Sequence, residues 1–269
     1  MNEPPVESWQ DTLDAFLRER KITFVRRAMV YRETSSTQEV AKTVPSHPTL
    51  VVADRQTAGR GRLGRPWVQG NAPAGSSSPG PGLGIAVTFA LPDCSIPPPK
   101  LSLAAGLAAH AACAQAIPDA SILGLRWPND VVERRSAQRK LAGVLVETTA
   151  RGALVGIGIN VFHEPDDFPG SLSQRAVSLR QLGSGEHRLR VLMRLVEQLE
   201  RTLAAPAEEI TRAWSQLDIL VGSRRTMIHA GRRYEGTVRA IQPSSHIELE
   251  TGEGLVQLPS LTTSLVHEE

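Results

Sequence analysis

The sequence has few of the features that mark secreted, membrane or metalloproteins. It has two cysteines in 269 residues, Cys94 and Cys113, and they form no C-x-x-C pattern. No apolar run approaches the length that crosses a membrane, and residues 1–13 lack the basic and apolar segments of a secretory signal. The seven histidines show no metal-ligand spacing. We therefore expect a cytoplasmic protein with reduced thiols and without a metal cage built from its own side chains.

The chain also has little net charge. Its 30 lysines and arginines nearly balance 28 acidic residues, and the formal charge of +2 creates no strong field that would attract nucleic acid or a membrane. A hydrophobic content of 41% and a charged content of 22% are ordinary for a globular protein. The length of 269 residues allows one large domain and one small one.

Apolar periodicity predicts a mixed α and β segment followed by a β-rich one. Helices are predicted at residues 9–17, 100–116, 191–199 and 210–217, and strands at residues 22–31, 46–54, 84–91, 123–132, 140–148 and 153–161. After Asp218 the chain changes to short strand-like segments separated by turns, which predicts a small β-barrel. We expect a catalytic domain over residues 1–217 and a second domain over residues 218–269.

The stretch "TAGRGRLGRPW", residues 57–67, follows a predicted strand and contains G-x-G-x-x-G. Its glycines are Gly59, Gly61 and Gly64, and its arginines are Arg60, Arg62 and Arg65. A dinucleotide-binding turn would need a helix after the third glycine. Proline and the low-complexity residues 68–82 follow instead, so we reject that interpretation. The guanidiniums suit carboxylate and phosphate oxygens, and the alternative is a solvated basic turn.

Four further segments contain polar groups at predicted strand ends or loops. They are "SSTQ" (35–38), "RWPND" (126–130), "KLAGVLVE" (140–147) and "GIGIN" (156–160). Each alone has a simpler structural explanation, such as a helix cap, a turn, a solvated lysine or a β-bulge. These segments indicate a functional site only because all four occur together and in this order.

In that order, together with "GRGRLGR", these segments resemble the biotin–protein ligase family. The family motifs read G-R-G-R-x-G-R, K-W-P-N-D, K-x-x-G-I-L-V-E and G-I-G-I-N, and the resemblance covers about residues 30–267. It implies an α+β fold, with a catalytic domain of the class II aminoacyl-tRNA synthetase and biotin ligase type. Such a domain has a mixed β-sheet flanked by helices, and a small SH3-like β-barrel follows at the C-terminus.

The resemblance also implies an activity and its partners. Such ligases activate biotin with ATP and Mg²⁺ as biotinyl-5′-AMP, and then transfer biotin to one lysine of a biotin carboxyl carrier protein. About thirty residues precede the first catalytic strand, so we expect a short form without an N-terminal DNA-binding domain and with no DNA partner. Monomer and homodimer both remain open.

By resemblance, Arg62 and Lys140 bridge the biotin carboxylate and the α-phosphate, where they offset the repulsion between two anions. Asp130 is the third catalytic residue, assisting the incoming lysine or magnesium. The expected biotin-binding residues are Ser36, Thr37, Gln56, Gly59, Arg60, Gly143 and Gly156. The expected ATP- and phosphate-binding residues are Arg60, Arg62, Arg65, Asn129 and Asn160.

Three features depart from the family pattern. Arg126 replaces the lysine of K-W-P-N-D, Gln38 occupies a position where asparagine is usual, and the loop over residues 68–82 is longer. Two other functions are alternatives. A lipoate–protein ligase shares the fold and the adenylate chemistry, but the arginine-rich loop and "WPND" fit the biotin branch better. A biotin-responsive DNA-binding repressor would need a helix-turn-helix domain before the first catalytic strand.

Overall fold

The computed structural model describes residues 3–44, 47–68, 82–135, 137–260 and 262–266. Most of the predicted low-complexity loop, residues 69–81, lies outside these ranges. The elements, in chain order, are α1 (Trp9–Glu19), β1 (Arg27–Thr34), α2 (Thr37–Thr43), β2 (Thr49–Gln56), β3 (Gly84–Pro92), α3 (Pro98–Ala114), β4 (Leu123–Arg126), β5 (Asp130–Glu133), β6 (Lys140–Thr149), β7 (Gly152–Asn160), α4 (Arg188–Ala204), α5 (Ala207–Leu217), β8 (Arg224–His229), β9 (Arg232–Gln242), β10 (His246–Thr251), β11 (Gly254–Pro259) and β12 (Thr263–Leu265).

Two sheets organise the described chain. The first has seven strands in the order β1-β2-β3-β7-β6-β5-β4, in which β1 and β2 are parallel and the remaining neighbours are antiparallel. The second has five antiparallel strands in the order β11-β10-β9-β8-β12. The expectation of an α+β protein with a mixed sheet and a β-rich C-terminal part is confirmed.

The two faces of the large sheet differ because side chains alternate along each strand. Ile85, Val87 and Phe89 of β3 belong to the main apolar core, and so do their neighbours on β7, which are Ile159, Ile157 and Val155. This core lies between the sheet and the helices α1, α3, α4 and α5. The opposite face supports α2 and has small and polar residues at its centre. The same strands therefore build the core on one side and an open surface on the other.

Helix α3 lies at the centre of the main core. Most of its residues from Leu101 onward are apolar and buried, and it packs against α4, α5 and the strands β6 and β7. It is also rich in alanine, which lets neighbouring elements approach closely. None of the helices in the described ranges combines the length and the apolar character that crossing a bilayer requires.

Several predicted boundaries are wrong. Residues 123–132 were expected to form one strand, but they form β4 and β5, an antiparallel pair joined by a turn at residues 127–129. Pro128 cannot donate to a ladder and Asn129 favours turns, so the chain reverses there. The first strand begins at Arg27, not at residue 22.

Two short elements were not predicted, α2 and β12. The side chain of Ser36 caps α2 by accepting a hydrogen bond from the backbone N–H of Gln38 (3.3 Å). The serine and threonine of "SSTQ" therefore do begin a helix, which was the simpler explanation of this segment.

The rejection of a dinucleotide-binding turn is confirmed. No α-helix follows β2 within residues 57–68. The segment folds back on itself instead, with Gly61 donating to the carbonyl of Arg65 (2.7 Å) and Trp67 donating to the carbonyl of Gly59 (2.9 Å). The loop is therefore a narrow hairpin that presents side chains, not a ring of helix N–H groups.

A buried arginine joins three distant parts of the chain. Arg188 begins α4 and is 2% exposed, and its guanidinium lies 2.5 Å from Glu3 and 2.7 Å from Asp54 at the end of β2. It also lies 5.0 Å above the ring of Trp9. Two carboxylates and an aromatic face compensate for burying the guanidinium. The N-terminal segment is thereby fixed to the sheet and to α4.

We predict that Arg188→Met lowers the free energy of unfolding by about 2–4 kcal/mol, because both carboxylates then lose their cation. Urea denaturation measures this change. The matched control is Arg20→Met, whose partner Glu197 lies 3.1 Å away at the surface. The control should lose less than about 1 kcal/mol. Equal losses in the two variants would contradict a structural role for Arg188.

Candidate active site

A cavity of about 740 Å³ opens on the face of the large sheet opposite α3 and α4. Its walls come from the arginine loop, from β3, β6 and β7, from the turn between β4 and β5, and from the C-terminal sheet. The predicted site residues that line it are Ser36, Thr37, Gln56, Arg60, Arg62, Arg65, Asn129, Asp130, Lys140, Gly143, Gly156 and Asn160. Gly59 is the exception, and it lies against Gln56 and Trp67, which do line the cavity. The structure thus brings together residues that are far apart in the sequence.

The floor of the cavity consists of two rows of paired residues across neighbouring strands. Thr88 pairs with Gly156, and Gly156 pairs with Leu145. In the second row Ala86 pairs with Gly158, and Gly158 pairs with Gly143. Residues directly opposite each other on adjacent strands share a face. Because most members of these rows are small, the sheet itself is accessible there.

Trp67 occupies part of the space above the second row. A Cβ atom at Gly158 would overlap with the Trp67 indole, so only glycine allows the ring to lie where it does. The Lys140 ammonium lies 5.6 Å from the centre of the same ring. Trp67 therefore packs against the sheet and forms part of the wall of the cavity.

One end of the cavity is neutral and rich in hydrogen-bonding groups. Gln56 Oε1 accepts hydrogen bonds from the backbone N–H of Thr37 (2.7 Å) and from its hydroxyl (3.0 Å). The hydroxyls of Thr37 and Thr88 are 2.9 Å apart, and Thr88 donates to Gln38 Oε1 (2.8 Å). These groups are fixed by one another, so they form a preorganised polar surface.

The other end carries charge. Asp130 lies between two cations, with its Oδ1 2.6 Å from Lys140 Nζ and its Oδ2 2.9 Å from Arg126 Nη2. Burial raises the pKa of Asp130, but Lys140 and Arg126 outweigh it and bring that pKa to about 2. The carboxylate is therefore charged at neutral pH and holds the Lys140 ammonium at the floor of the cavity.

Arg126 stands where the family motif has a lysine, and both ends of its planar guanidinium form hydrogen bonds. While one nitrogen bonds Asp130, Nη1 donates to the carbonyl of Gln138 (3.0 Å). A lysine ammonium is a single point and cannot reproduce this two-ended geometry. The substitution thus ties the β4–β5 hairpin to the segment that precedes β6.

The arginines of the loop differ in their surroundings. Burial lowers the pKa of Arg62, Asp130 acts in the opposite direction, and Arg65 lowers it further. Arg62 also donates to the backbone carbonyl of Ser260 (3.0 Å), which links the loop to the C-terminal sheet. The guanidinium of Arg60 forms an ion pair with Glu39 on α2 at the rim of the cavity.

The side chains of the two predicted asparagines, Asn129 and Asn160, form hydrogen bonds to backbone carbonyls. Asn129 donates its amide to the carbonyl of Val144 on β6. Asn160 is 4% exposed, and its amide donates to the carbonyls of Lys140 (3.3 Å) and Val177 (3.1 Å). Their side-chain donors are thus used to fix the strands from which Asp130 and Lys140 project. Both residues still line the cavity, so their predicted nucleotide contact stays a prediction.

The three predicted glycines make room for other site residues. A Cβ at Gly156 would lie 2.8 Å from Gln38 Oε1, and one at Gly143 would lie 2.7 Å from Lys140 Nζ. A Cβ at Gly59 would lie 2.8 Å from Gln56 Nε2. Each glycine thus permits a polar side chain to take its place in the site. A direct role beside biotin stays a prediction.

Several cavity residues were missed from the sequence. Thr88 and Gln38 belong to the polar end, and a threonine within the apolar stretch "GIAVTFAL" was the available signal for the former. From the C-terminal sheet, Arg225 lines the cavity and donates to Gln138 Oε1 (3.0 Å). Thr263 lines it as well. No local pattern indicated that these two residues approach the site.

The charge balance of the cavity is strongly one-sided. Among the described residues, its basic lining side chains are Arg60, Arg62, Arg65, Arg126, Lys140, Arg175 and Arg225. Asp130 is the one acidic side chain of that lining. A cavity with this excess favours a ligand with several negative charges. The neutral end favours an uncharged polar group.

Magnesium does not fit Asp130 as the structure places it. Both carboxylate oxygens already contact cationic groups, and a divalent ion would have to displace one of them. The described ranges contain no group of three or more His, Cys, Asp or Glu side chains suited to a metal ion. The contacts of Asp130 therefore do not support its assignment to magnesium.

Comparison with known sequences identifies relatives. The profile of the Biotin/lipoate A/B protein ligase family matches residues 30–162. The Biotin--[acetyl-CoA-carboxylase] ligase of Mycobacterium tuberculosis is 32% identical over 215 residues, covering 76% of this chain and 73% of the relative. The Bifunctional ligase/repressor BirA of Bacillus subtilis is 29% identical over 255 residues, covering 88% of this chain and 74% of the relative.

Solved structures show the same likeness. A mutant of the biotin protein ligase from Aquifex aeolicus, in complex with biotin, superposes with a TM-score of 0.73 at 26% identity over 90% of this chain and 98% of that one. The ligase from the same organism in complex with biotin and ATP gives a TM-score of 0.71 at 26% identity, with 90% and 99% coverage. From the ordered motifs, the fold and these matches, the chain belongs to the Biotin/lipoate A/B protein ligase family.

Proposed function

We propose that the protein is an ATP-dependent biotin–protein ligase. It activates biotin to biotinyl-5′-AMP and transfers the biotinyl group to a lysine of a biotin carboxyl carrier protein. The observation that carries this proposal is a cavity with a neutral hydrogen-bonding end and a cationic end. The first end suits the urea ring of biotin, and the second suits its carboxylate together with the phosphates of ATP. The relatives named for biotin support the choice within the family.

The first step joins two anions. A carboxylate oxygen of biotin attacks the α-phosphorus of ATP, an O–P bond forms, and pyrophosphate leaves with the electrons of the broken P–O bond. Lys140 and Arg62 offset the repulsion between the reactants and stabilise the charge that develops on the phosphoryl oxygens. Arg65 and Arg60 assist at the rim, where pyrophosphate leaves. Magnesium arrives with ATP as part of that substrate, and no residue of the chain is assigned to it.

The second step transfers the acyl group. The neutral amine of the carrier lysine attacks the carbonyl carbon of the mixed anhydride, a C–N bond forms, the nitrogen gives up a proton to solvent, and AMP leaves with the electrons of the C–O bond. With a pKa of about 2, Asp130 is a weak base. We therefore assign to it the positioning of Lys140 and Arg126, not the removal of the proton from the carrier lysine.

The polar end of the cavity binds biotin, and the two asparagines stabilise the strands around the cationic end. Thr37 and Gln56, with Ser36 at the cap of α2, present hydrogen-bonding groups to the urea ring. A site built around such a ring rejects analogues that leave its buried groups unpaired. Asn129 and Asn160 keep the strands of the cationic end in register and lie beside the nucleotide.

We extend the proposal to the domains, the location and the partners of the protein. Residues 1–217 form the catalytic domain and residues 218–269 the SH3-like domain. The protein acts in the cytoplasm, which agrees with two free cysteines, Cys94 and Cys113. Its partners are biotin, ATP and the carrier protein, without DNA or membrane, and it acts as a monomer or homodimer.

The proposal is tested by incubating the protein with biotin, MgATP and a biotin carboxyl carrier domain. We expect the mass of the carrier to increase by one biotinyl group, because the acyl group moves to a single lysine. A parallel reaction contains lipoate and a lipoyl domain. Transfer of lipoate without transfer of biotin would contradict the proposal and favour a lipoate ligase.

Lys140→Ala should lower the rate of biotinyl-5′-AMP formation on the order of a hundredfold or more, because the bridging ammonium is lost. The variant should stay folded, since Lys140 is half-buried at the end of a strand and not part of the core. Pyrophosphate release measures the rate. Lys100→Ala is the matched control, because Lys100 lies on α3 and does not line the cavity. A folded Lys140→Ala protein with a normal rate would refute the assignment.

Asp130→Asn should reduce the free energy of unfolding by about 2 kcal/mol at pH 7, since Lys140 and Arg126 lose their counter-charge. The pKa of Asp130 is lower in the folded protein than its ordinary value of 3.8, so this stabilisation is present above pH 4 and lost as the pH falls towards 2. The gap between wild type and variant should therefore narrow by about 1 kcal/mol between pH 7 and pH 3. Urea denaturation across that range measures it.

The matched control is Asp166→Asn, which changes an exposed aspartate outside the cavity. Its effect at pH 7 should be less than about 0.5 kcal/mol. If the gap for Asp130→Asn is the same at pH 3 and at pH 7, the carboxylate is not the charged partner of these two cations in the folded protein.

A further inference from the structure

The amide of Gln38 has one end without a partner. Gln38 is the second residue of α2, is 3% exposed and lines the polar end of the cavity. Its Oε1 accepts a hydrogen bond from Thr88, whereas its Nε2 has no hydrogen-bond partner in the part of the chain that the structure describes. Buried polar atoms are nearly always paired, so an unpaired amide end beside a cavity indicates a partner that the chain itself does not supply.

The position of the Gln38 side chain is restricted on two sides. The Thr88 hydroxyl holds its Oε1 at 2.8 Å, and the space beside that oxygen exists because position 156 is glycine. A Cβ there would lie 2.8 Å from Oε1. The residue also lies in the first turn of α2, whose start is fixed by the Ser36 cap. The Gln38 side chain is therefore held in one position within the lining of the cavity.

Gln38 and Gln56 lie at the two ends of one chain of hydrogen-bonding groups. The Gln56 amide contacts the Thr37 hydroxyl, which lies 2.9 Å from the Thr88 hydroxyl, which in turn contacts the Gln38 amide. A side-chain amide can turn over, so the end of Gln38 that does not contact Thr88 presents either a donor or an acceptor. A cyclic urea offers two N–H donors and one carbonyl acceptor, and it can pair with either orientation.

We propose that Gln38 contacts the urea ring of biotin directly and selects rings that carry a urea over rings that lack one. This inference rests on the proposed biotin ligase function. It assigns a binding role to the residue that replaces the usual asparagine of the family motif. The extra methylene of glutamine lets the amide reach the row of Thr88 and Gly156 on the sheet. A 1,2-dithiolane ring, as in lipoate, would leave the amide end unpaired and be disfavoured.

The test compares Gln38→Met with wild type by isothermal titration calorimetry, without ATP. Methionine has nearly the same length and volume as glutamine but no amide. Three carboxylic acids serve as ligands: biotin, desthiobiotin, which keeps the urea and lacks the thioether ring, and tetrahydrothiophene-2-pentanoate, which keeps the thioether ring and lacks the urea. We expect Kd to rise about tenfold to a hundredfold for the two urea ligands, and to change less than about threefold for the thioether acid.

Two further variants separate direct contact from a structural role. Thr88→Val removes the hydroxyl that holds Gln38 but leaves the amide, so the loss of urea binding should be smaller than in Gln38→Met. Gln38→Asn keeps an amide but retracts it by one methylene, so Kd should rise several-fold for the urea ligands alone. It also provides the measurement if Gln38→Met does not fold, which thermal denaturation monitors.

Each outcome decides between the alternatives. If Gln38→Met, or Gln38→Asn in its place, weakens the binding of all three ligands equally or of none of them, Gln38 does not recognise the urea group. If Thr88→Val reproduces the full loss, Gln38 acts through Thr88 and the direct contact is overturned. These results would leave the ligase function intact as long as wild type binds biotin. A wild-type protein that does not bind biotin would instead overturn the function, and this inference with it.

Discussion

The cavity depends on the alternation of small and large side chains along β3, β6 and β7. On one face of these strands the side chains are large and apolar and build the core against α3 and α4. On the other face, paired residues with small or no side chains form a row across the three strands: Ala86, Gly158 and Gly143. A shift of the strand register by one residue would exchange the two faces. The packing that stabilises the fold therefore also fixes where substrate can lie.

The same row brings charge to the floor of the cavity. Gly143 on β6 pairs with Asp130 on β5, and Asp130 pairs with Arg126 on β4. The charged cluster is thus a continuation of the glycine row across two more strands. Since Lys140 begins β6, it reaches the same carboxylate from the neighbouring strand. A largely buried aspartate with one cation on each oxygen holds both cations firmly in place. Breaking either contact would leave one of these cations without its counter-charge.

Much of this could be predicted from the sequence, for identifiable reasons. Lys140, Asp130 and Arg62 occur in ordered motifs, and the alternating segments around them predicted most of the strands. The partners of these residues were harder to predict, because α2 has seven residues and is too short to give a clear periodic signal. Gln38 was noted only as a departure from the family asparagine. Its contact with Thr88 depends on strand packing that sequence distance does not reveal.

The C-terminal sheet was predicted only as a separate β-rich unit, yet it helps to hold the cations around the cavity. Like charges at short range repel, and burial adds a desolvation cost to each of them. The chain reduces both effects with neutral acceptors. Arg62 donates to the carbonyl of Ser260, Arg225 donates to the side-chain oxygen of Gln138, and Arg126 donates to the carbonyl of the same glutamine. Such acceptors fix the orientation of a guanidinium without neutralising its charge. The positive charge of the cavity is therefore already oriented before an anionic ligand binds, which lowers the cost of reorganisation when charge develops during the reaction.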